Sequence, residues 1–392
     1  MNTTLKHWRE AATLILAAGH KLPRPRAAPV SAPASAPASA PGSGHRPPGL
    51  PLRSAFDYDV LLLKRSGKSG FMPNAYVFPG GMVDASDFSS EWLDVFQPVR
   101  ESPNFGLRPT KQAAETRPPI FATDRLKLGS PVPGEVAFRI CALRETFEES
   151  GVLLVVSKPE LNRLLRDTKE QRDPGPAVCY EAGYLDKWRT LVNQNPSNFI
   201  RMCRELQVLP NIWALHEWGN WLTPTGRYGA ARFDTAFFIC CLQDTPHTVQ
   251  DQKEIVHVQW STPSEILQSY QAQEMWIAPP QFYELSRMCR FPALRDLHNF
   301  ASQRATEGCE QWLPVICQKD EHYLLLLPGD KLYPLDTSGK TQIDKIADSQ
   351  SEDDSALHRM VMLNPYNRPL QITITPRYNH LLPVVEPASS NY

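Results

Sequence analysis

The stretch RETFEESGV, residues 144 to 152, places three carboxylates and one arginine side by side. It closes a longer segment whose apolar residues recur at spacings of four, three and four: Val136, Ile140, Leu143 and Phe147. That period predicts a helix with one face packed on a core. Gly151 suits the position that ends such a helix, and VLLV then begins a strand.

The three carboxylates of this helix form a candidate metal site. Glu145, Glu148 and Glu149 stand three and four residues apart, so they share one helical face, roughly opposite the apolar stripe. Mg²⁺ prefers a few carboxylates, several waters and phosphate oxygens from a substrate. Arg144 is adjacent and can brace a carboxylate as a fork-shaped donor. On spacing alone, a solvated acidic face is the alternative.

Together with FPGG at residues 78 to 81, this stretch resembles the Nudix box, G-x5-E-x7-R-E-U-x-E-E-x-G-U, where U is apolar. Six residues fit the second half of the box: Arg144, Glu145, Glu148, Glu149, Gly151 and Val152. Thr146 departs from the pattern at an apolar position, and Gly81 matches the box glycine. The resemblance identifies the chain as a candidate member of the Nudix hydrolase family.

The two halves of the box lie far apart in this sequence. Residues 88 to 143 replace the usual seven before the arginine, so an insertion splits the box. The halves can still meet in space, because each doubling of loop length costs only ~0.6 kcal/mol. The lone Glu of the box falls on Asp87, which is acidic but shorter. Either Asp87 or Glu135, near the helix start, fills that role.

A second resemblance concerns the substrate. Residues 61 to 81, LLLKRSGKSGFMPNAYVFPGG, resemble the signature L-L-T-x-R-[SA]-x3-R-x3-G-x3-F-P-G-G of coenzyme A diphosphatases of the same family. Three positions depart from it: Leu63, Gly70 and Asn74. Three cations remain as candidates for binding a 3′-phosphate or the diphosphate: Lys64, Arg65 and Lys68. For Lys64 and Lys68, the alternative is an ordinary surface cation beside a strand.

Further stretches resemble one subgroup, the peroxisomal acyl-CoA diphosphatases of vertebrates, among them WREAATLILAAG, IWALHEWGNWLTPTGR and WIAPPQFYE. The resemblance implies an α/β fold, a Nudix α/β/α sandwich with a mixed β-sheet, plus helical and loop insertions. It also implies dependence on Mg²⁺ or Mn²⁺. The implied reaction is cleavage of CoA and acyl-CoA to adenosine 3′,5′-bisphosphate and (acyl-)4′-phosphopantetheine.

The resemblance also assigns roles to individual residues. Glu145, Glu148 and Glu149 are expected to hold the metal, with Arg144 orienting them. Glu149 or Glu254 is expected to take a proton from the attacking water. Gly80 and Gly81 are expected to let the backbone approach the phosphates.

Two later stretches are candidate walls of the substrate site. The tryptophan-rich segment that contains Arg227 either stacks adenine or holds an acyl thioester, and Arg227 is a candidate substrate contact. WIAPPQFYE is a candidate lid over the pantetheine or acyl arm. The alternatives are an aromatic core and a packing segment. Two further functions stay open: another Nudix substrate or a CoA-type RNA cap, and a non-catalytic binding protein of this shape.

Composition excludes several classes of protein. The 392 residues are 42% hydrophobic and 21% charged, which is typical of a globular chain. The formal net charge of −1 provides no global field for nucleic acid or an anionic membrane. The longest apolar run is too short to cross a bilayer. The eight cysteines form no CxxC pair, which argues against zinc. We expect a small-molecule substrate and no membrane partner, with nucleic acid only as a capped-RNA side substrate. We also expect a monomer, although composition does not determine the oligomeric state.

The chain divides into four predicted regions. They are residues 1–20, with the first strand of the Nudix domain; 21–51, a disordered insertion rich in Pro, Ala and Ser; 52–290, the rest of the Nudix domain with an insertion at 88–133; and 291–392, a C-terminal extension with a late β-pair and a polar tail. Residues 256–261 predict a strand in which Val256, Val258 and Trp260 alternate with polar residues.

The resemblance implies a peroxisomal location. Ser390, Asn391 and Tyr392 do not form an SKL-type address, so mitochondrial and cytosolic locations stay open.

Overall fold

The protein was analysed as a computed structural model. The structure describes residues 8–20, 51–52, 55–166, 183–224, 232–251, 254–319, 322–334, 342–343 and 356–384. The predicted insertion at 21–51 therefore lies outside the described residues except at its last position.

Strands and helices are numbered in chain order. The strands are β1 (Arg9–Gly19), β2 (Tyr58–Arg65), β3 (Tyr76–Val77), β4 (Gly80–Met82), β5 (Val155–Ser157), β6 (Val208–Pro210), β7 (His216–Leu222), β8 (Phe233–Leu242), β9 (Ile255–Ser261), β10 (Gln311–Trp312), β11 (Val315–Lys319), β12 (His322–Leu326), β13 (Gln342–Ile343), β14 (His358–Met362) and β15 (Leu370–Ile372). The helices are α1 (Trp92–Val95), α2 (Pro119–Ala122), α3 (Gly134–Ser150), α4 (Lys158–Arg166), α5 (Tyr184–Gln194), α6 (Asn198–Leu206), α7 (Pro263–Gln271), α8 (Pro279–Met288) and α9 (Leu294–Arg304).

The centre of the fold is a mixed sheet in the order β10-β7-β8-β1-β2-β3, with β4 also paired to β1 and β9 to β2. β1 runs parallel to β8 and antiparallel to β2 and β4. β1 is buried on both faces, which explains why its sequence is almost continuously apolar. Leu14 and Leu16 contribute to one core, and Ile15 and Ala17 contribute to the other.

Helices cover both faces of this sheet. α3 packs on one face together with the inserted segment, while residues of α7, α8 and α9 belong to the core on the other face. This arrangement confirms the predicted α/β sandwich with a mixed sheet. None of the helices in the described part of the chain is both long and apolar enough to cross a membrane.

The helix α3 is more buried than its apolar period predicts. Phe138, which lies off the predicted stripe, is fully buried and makes edge contacts with the rings of Phe88 and Phe121. Glu149, on the face predicted to lie opposite the core, is 4% exposed. The expectation of one packed face was incomplete, because the inserted segment packs on Phe138 and the glycine turn contacts Glu149.

The C-terminal residues form a second sheet in the order β13-β11-β12-β14-β15. Its apolar side chains Ile316, Leu325 and Met360 belong to the same core as Ile15 and Phe237 of the main sheet. The region past residue 340 was expected to be a weakly patterned polar tail, but it supplies β14 and β15. The sequence signal for β14 is weak because the strand is short and two of its three buried residues, His358 and Arg359, are polar or charged.

One strand differs from its predicted orientation. β9 does form at Ile255–Ser261, but Val256 is 44% exposed and the fully buried residue is Ile255. The alternation of apolar and polar residues along β9 therefore did not identify which of its faces is buried.

Candidate active site

The glycine turn lies between β1 and the carboxylate helix. Gly80 and Gly81 pair with Thr13 and Ala12 of β1. A Cβ atom on Gly81 would lie 2.5 Å from the Glu145 carboxyl carbon, and one on Gly80 would lie 2.5 Å from the Ala12 carbonyl oxygen. Both glycines also line the large cavity of this region. Glycine is therefore required here by close packing, in addition to any approach of a substrate.

Arg144 connects the two halves of the split motif. Its Nε donates to Asp87 Oδ1 and its Nη2 to Asp87 Oδ2, both at 2.8 Å. Its Nη1 donates to Glu145 Oε1 and Glu148 Oε1, also at 2.8 Å each. Burial by itself would lower the pKa of Arg144, but the neighbouring Asp87 charge holds that pKa well above its usual value. Arg144 thus stays charged and fixes three carboxylates.

The open alternative between Asp87 and Glu135 is decided by these contacts. Asp87 is 1% exposed and forms the paired hydrogen bonds to Arg144. Glu135 forms an ion pair with Arg117 and accepts a hydrogen bond from Asn104 at 2.6 Å. Glu135 therefore helps to hold the inserted segment, and Asp87 occupies the position of the box carboxylate.

The helix carboxylates are crowded and poorly solvated. Burial raises the pKa of Glu145 to about 7, and the charge of Glu148 contributes to the same rise. Burial also raises the pKa of Glu148, and burial with the charge of Glu145 raises that of Glu149 well above its usual value. Glu149 Oε2 accepts the Gly80 N–H at 2.9 Å. A cation bound here would relieve this repulsion.

The donor set fits a hard divalent cation that keeps waters and substrate oxygens. Within the part of the chain that the structure describes, no group of three or more His, Cys, Asp or Glu side chains is arranged so that it could hold a metal ion. Arg144 engages one oxygen each of Glu145 and Glu148. Because Mg²⁺ needs only one or two carboxylates beside waters and phosphate oxygens, an open site of this kind suits it better than a closed one.

A cavity of about 990 Å³ opens beside these carboxylates. That volume is at the upper end of the range for small-molecule sites, so the ligand that fits is large. Its charged lining residues include Arg9, Lys68, Asp84, Glu145 and Glu148, and Gly81 lines it as well. Its apolar lining residues include Phe78, Trp221, Leu222, Phe237, Pro279 and Leu325. The cavity therefore presents both charged and apolar side chains to a ligand.

The two predicted substrate lysines lie in different environments. Lys68 lines the cavity. Lys64 is not among the lining residues, and its ammonium lies 5.6 Å from the centre of the Tyr76 ring. Arg227 lies outside the described residues. Of the two lysines, Lys68 has a position from which it can meet a substrate in this cavity.

Arg65 lines the cavity, but its guanidinium is engaged by the protein. It donates to Glu254 Oε1 at 2.7 Å, to Ser69 Oγ at 2.8 Å and to the Phe71 carbonyl at 3.1 Å. The Phe71 ring in turn makes an edge contact with Phe233, with 4.9 Å between ring centres. In this conformation Arg65 orders the loop over residues 66–72, and it partners Glu254, the candidate base.

Sequence reasoning did not single out Arg9 as a site residue. Arg9, Ala11 and Thr13 all line the cavity, because alternate residues of a strand share one face. Arg9 is exposed and its Nη1 lies 3.8 Å from the Met82 sulfur. The alternation of residues along β1 places Arg9 on the same face as Ala11 and Thr13. That face is identified as part of the site only when β4 is known to pair with β1.

This fold, with the glycine turn joined to the carboxylate helix through Arg144, defines a Nudix protein. The chain belongs to the NUDT19 family of Nudix hydrolases: residues 8–288 match the NUDT19 Nudix domain and residues 316–373 match the NUDT19 C-terminal domain. The predicted family is thus confirmed. Nudix hydrolases use divalent metal ions, in agreement with the carboxylate site.

Full-length relatives carry the name acyl-coenzyme A diphosphatase NUDT19. The chain is 45% identical to that of Xenopus laevis over 411 residues, which covers 100% of both chains. It is 44% identical to that of Gallus gallus, covering 100% of this chain and 99% of the relative. It is 40% identical to that of Homo sapiens, covering 96% and 94%. A crystal structure of a NUDIX hydrolase from Alicyclobacillus acidocaldarius is 19% identical, with a TM-score of 0.46, and covers 73% of this chain and 92% of that chain.

Proposed function

We propose that this chain is a metal-dependent diphosphatase that hydrolyses CoA and acyl-CoA esters. The products are adenosine 3′,5′-bisphosphate and 4′-phosphopantetheine or its acyl derivative. The observation that carries the proposal is one cavity whose lining combines Glu145, Glu148 and Lys68 with apolar side chains. CoA esters combine a diphosphate, a further phosphate and an apolar arm in one elongated molecule. Relatives named acyl-coenzyme A diphosphatase support the same substrate class.

The proposed metal is Mg²⁺ or Mn²⁺, held by Glu145, Glu148 and Glu149. When bound, it supplies neutralisation of the diphosphate charge and activation of water. Arg144 keeps Glu145 and Glu148 in place through its two Nη1 hydrogen bonds. The Gly80 N–H fixes one oxygen of Glu149. The carboxylates are therefore positioned before a substrate arrives, which lowers the reorganisation needed during reaction.

In the proposed reaction, water attacks one phosphorus of the diphosphate in line with the bridging oxygen. The bond from that phosphorus to the bridging oxygen breaks, and the electron pair leaves with the other phosphate. A carboxylate takes the proton from the water, and the candidates are Glu149 and Glu254. Glu254 lines the cavity and has its Oε1 paired with Arg65, while Glu149 lies behind the glycine turn.

Substrate contacts follow from the lining of the cavity. Lys68 is proposed to bind the 3′-phosphate, and the turn at Gly80 and Gly81 is proposed to face the diphosphate. All of these groups come from one chain, which fits a catalytic monomer. A peroxisomal, mitochondrial or cytosolic location remains a prediction of the resemblance.

The proposal is tested by the variant Glu149→Gln with CoA and Mg²⁺. We expect it to lose nearly all turnover while its melting temperature and circular dichroism stay close to wild type. Glu205→Gln is a matched control, because Glu205 lies on α6 in an exposed pair with Arg201. Wild-type turnover by Glu149→Gln would overturn the assignment of Glu149.

The alternatives give different results in the same assay. A Nudix hydrolase of another nucleoside diphosphate derivative or of a CoA-type RNA cap would not discriminate CoA from dephospho-CoA. A non-catalytic binding protein would cleave none of these compounds and would bind no metal.

A further inference from the structure

Gln281 is a polar residue of the substrate cavity to which the proposed reaction gives no role. It is the third residue of α8, and it lines the cavity. The residue is only 7% exposed, and its Oε1 is buried without a hydrogen-bond partner among the residues that the structure describes. A buried carbonyl oxygen without a partner is unfavourable in the free protein. Its place in the cavity wall therefore points to a ligand that completes the hydrogen bonding of this side chain.

The backbone that carries Gln281 is held in a fixed position. Just before α8, Ile277 forms a parallel bridge with β3. The Arg368 Nη1 donates to the Ile277 carbonyl at 3.0 Å. Pro279 and Pro280 then begin α8, and their rings restrict the backbone of the first turn. The backbone at Gln281 is therefore anchored at the cavity wall, and the side chain is the part that can adapt to a ligand.

The amide of Gln281 offers a ligand one donor group and one acceptor group. Rotation about the Cγ–Cδ bond is soft, so the two ends of the amide can exchange places while the backbone stays where it is. The ligand group that matches an amide has a donor next to an acceptor. CoA contains two kinds of such group: the edge of adenine, where N6–H₂ lies near N7, and the amides of the pantetheine arm. An ionised phosphate has only acceptors and matches one end of the amide.

We infer that Gln281 is a specificity-determining residue, and that its amide forms hydrogen bonds with a neutral donor–acceptor group of the substrate. The inference rests on the proposed function and names a residue that recognises a part of CoA other than its phosphates. The adenine edge and the pantetheine amides share the chemistry that Gln281 recognises, and the experiment below separates these two sources.

The experiment compares wild type with Gln281→Met, which keeps a long, unbranched and flexible side chain but removes the amide. The readouts are kcat/KM for CoA with Mg²⁺ and the melting temperature of the free protein. We expect kcat/KM to fall about tenfold, because hydrogen bonds to the substrate are lost. We expect the melting temperature to stay at or above the wild-type value, because the free protein loses a buried acceptor that had no partner. A purely structural role predicts the opposite pair of results.

The two products of the proposed reaction identify the group that Gln281 recognises. Adenosine 3′,5′-bisphosphate carries the adenine, and 4′-phosphopantetheine carries the amides, so each product is added as an inhibitor of CoA hydrolysis. In Gln281→Met, the inhibition constant of the product that contains the recognised group should rise about tenfold, and that of the other product should stay unchanged. Equal changes in the two constants, or no change in either, would overturn the inference, because Gln281 would then recognise neither group.

Ser286→Ala is the matched control. Ser286 is a buried polar residue of the same helix, but its Oγ donates to the Phe282 carbonyl at 2.7 Å, and it is not among the residues that line the cavity. Its kcat/KM for CoA should match wild type even where its melting temperature is reduced. If Gln281→Met does not fold, Gln281→Asn, which shortens the side chain by one carbon, decides the question by the same measurement.

Three further outcomes overturn the inference. In the first, kcat/KM for CoA stays unchanged in a folded Gln281 variant. In the second, Ser286→Ala lowers kcat/KM as much as the Gln281 variant does. In the third, wild type fails to cleave CoA. The third outcome also removes the proposed function, whereas the first two leave hydrolysis of CoA intact and remove only the role of Gln281.

Discussion

Arg144 and Asp87 face each other through two hydrogen bonds of 2.8 Å, although the insertion separates them by 57 positions. Both side chains are almost fully buried, at 2% and 1% exposure. The same guanidinium holds Glu145 and Glu148. The split motif is thus rebuilt in space, and the pair couples the folding of the insertion to the geometry of the carboxylates.

Removing the charge of Asp87 should damage both stability and catalysis. Asp87→Asn removes the negative charge that pairs with the buried Arg144 guanidinium. Breaking a buried ion pair in this way typically lowers the free energy of unfolding by about 3–5 kcal/mol. We expect kcat to fall as well, because Arg144 is then free to move relative to Glu145 and Glu148. Urea unfolding and steady-state kinetics measure the two effects separately.

Glu135→Gln is the comparison for Asp87→Asn. Glu135 pairs with Arg117, so its loss should reduce stability but leave kcat of the folded protein near wild type. The assignment of Asp87 fails if Glu135→Gln lowers kcat and Asp87→Asn does not.

Gly81→Ala should remove activity without unfolding the protein. The added methyl would lie 2.5 Å from the Glu145 carboxyl carbon, so that flexible side-chain end must move. A displacement of about 1 Å at a reacting group can cost about 100-fold in rate. Gly70→Ala is the control, because a Cβ atom there meets nothing within 4 Å. Equal kcat/KM for both variants, measured with CoA, would contradict the positioning of Glu145 by the turn.

Lys68→Ala should weaken recognition of the 3′-phosphate. A hydrogen bond to a charged group is worth about 1.5–3 kcal/mol, or roughly 10- to 100-fold in kcat/KM. We expect that loss for CoA and a much smaller one for dephospho-CoA. Lys64→Ala should leave both unchanged, because Lys64 lies over Tyr76 and does not line the cavity. Equal losses for the two substrates would remove this role from Lys68.

Acid should loosen the attachment of the C-terminal sheet. Burial lowers the pKa of His358 to about 4. Its neutral ring can donate from Nδ1 to the Pro328 carbonyl and accept at Nε2 from Tyr283. The unfolded chain, with a pKa near 6.5, binds the proton first.

The stability that neutral His358 provides is therefore complete above about pH 6.5 and is lost as pH falls towards 4, by up to about 3 kcal/mol. Urea midpoints between pH 4 and pH 7 measure this slope. His358→Gln should flatten it, and an unchanged slope in that variant would assign the acid sensitivity to other groups.

Much of the fold follows from local patterns. The carboxylate helix and β1 were predicted because a helical period and a long apolar run are properties of the segments themselves. The choice between Asp87 and Glu135 stayed open, because it depends on the distant partner Arg144. The engagement of Arg65 by Glu254 was not predicted, because these two residues are also far apart in sequence.

The C-terminal part of the site was the least predictable. Leu325 looks like any other member of a leucine run, and its place in the cavity depends on how one sheet packs against another. The position of Arg9 at the cavity was equally hard to predict, because it depends on the pairing of β1 with the glycine turn.

The central claim is hydrolysis of the CoA diphosphate at the carboxylate helix. It is tested most directly by product analysis after incubation with CoA, an acyl-CoA, ADP-ribose or NADH, each with Mg²⁺ or Mn²⁺. We predict equal amounts of adenosine 3′,5′-bisphosphate and 4′-phosphopantetheine from CoA, and no products after chelation of the metal. Cleavage of ADP-ribose or NADH with CoA left intact would contradict the proposed substrate, and no cleavage of any compound would contradict the proposed catalysis.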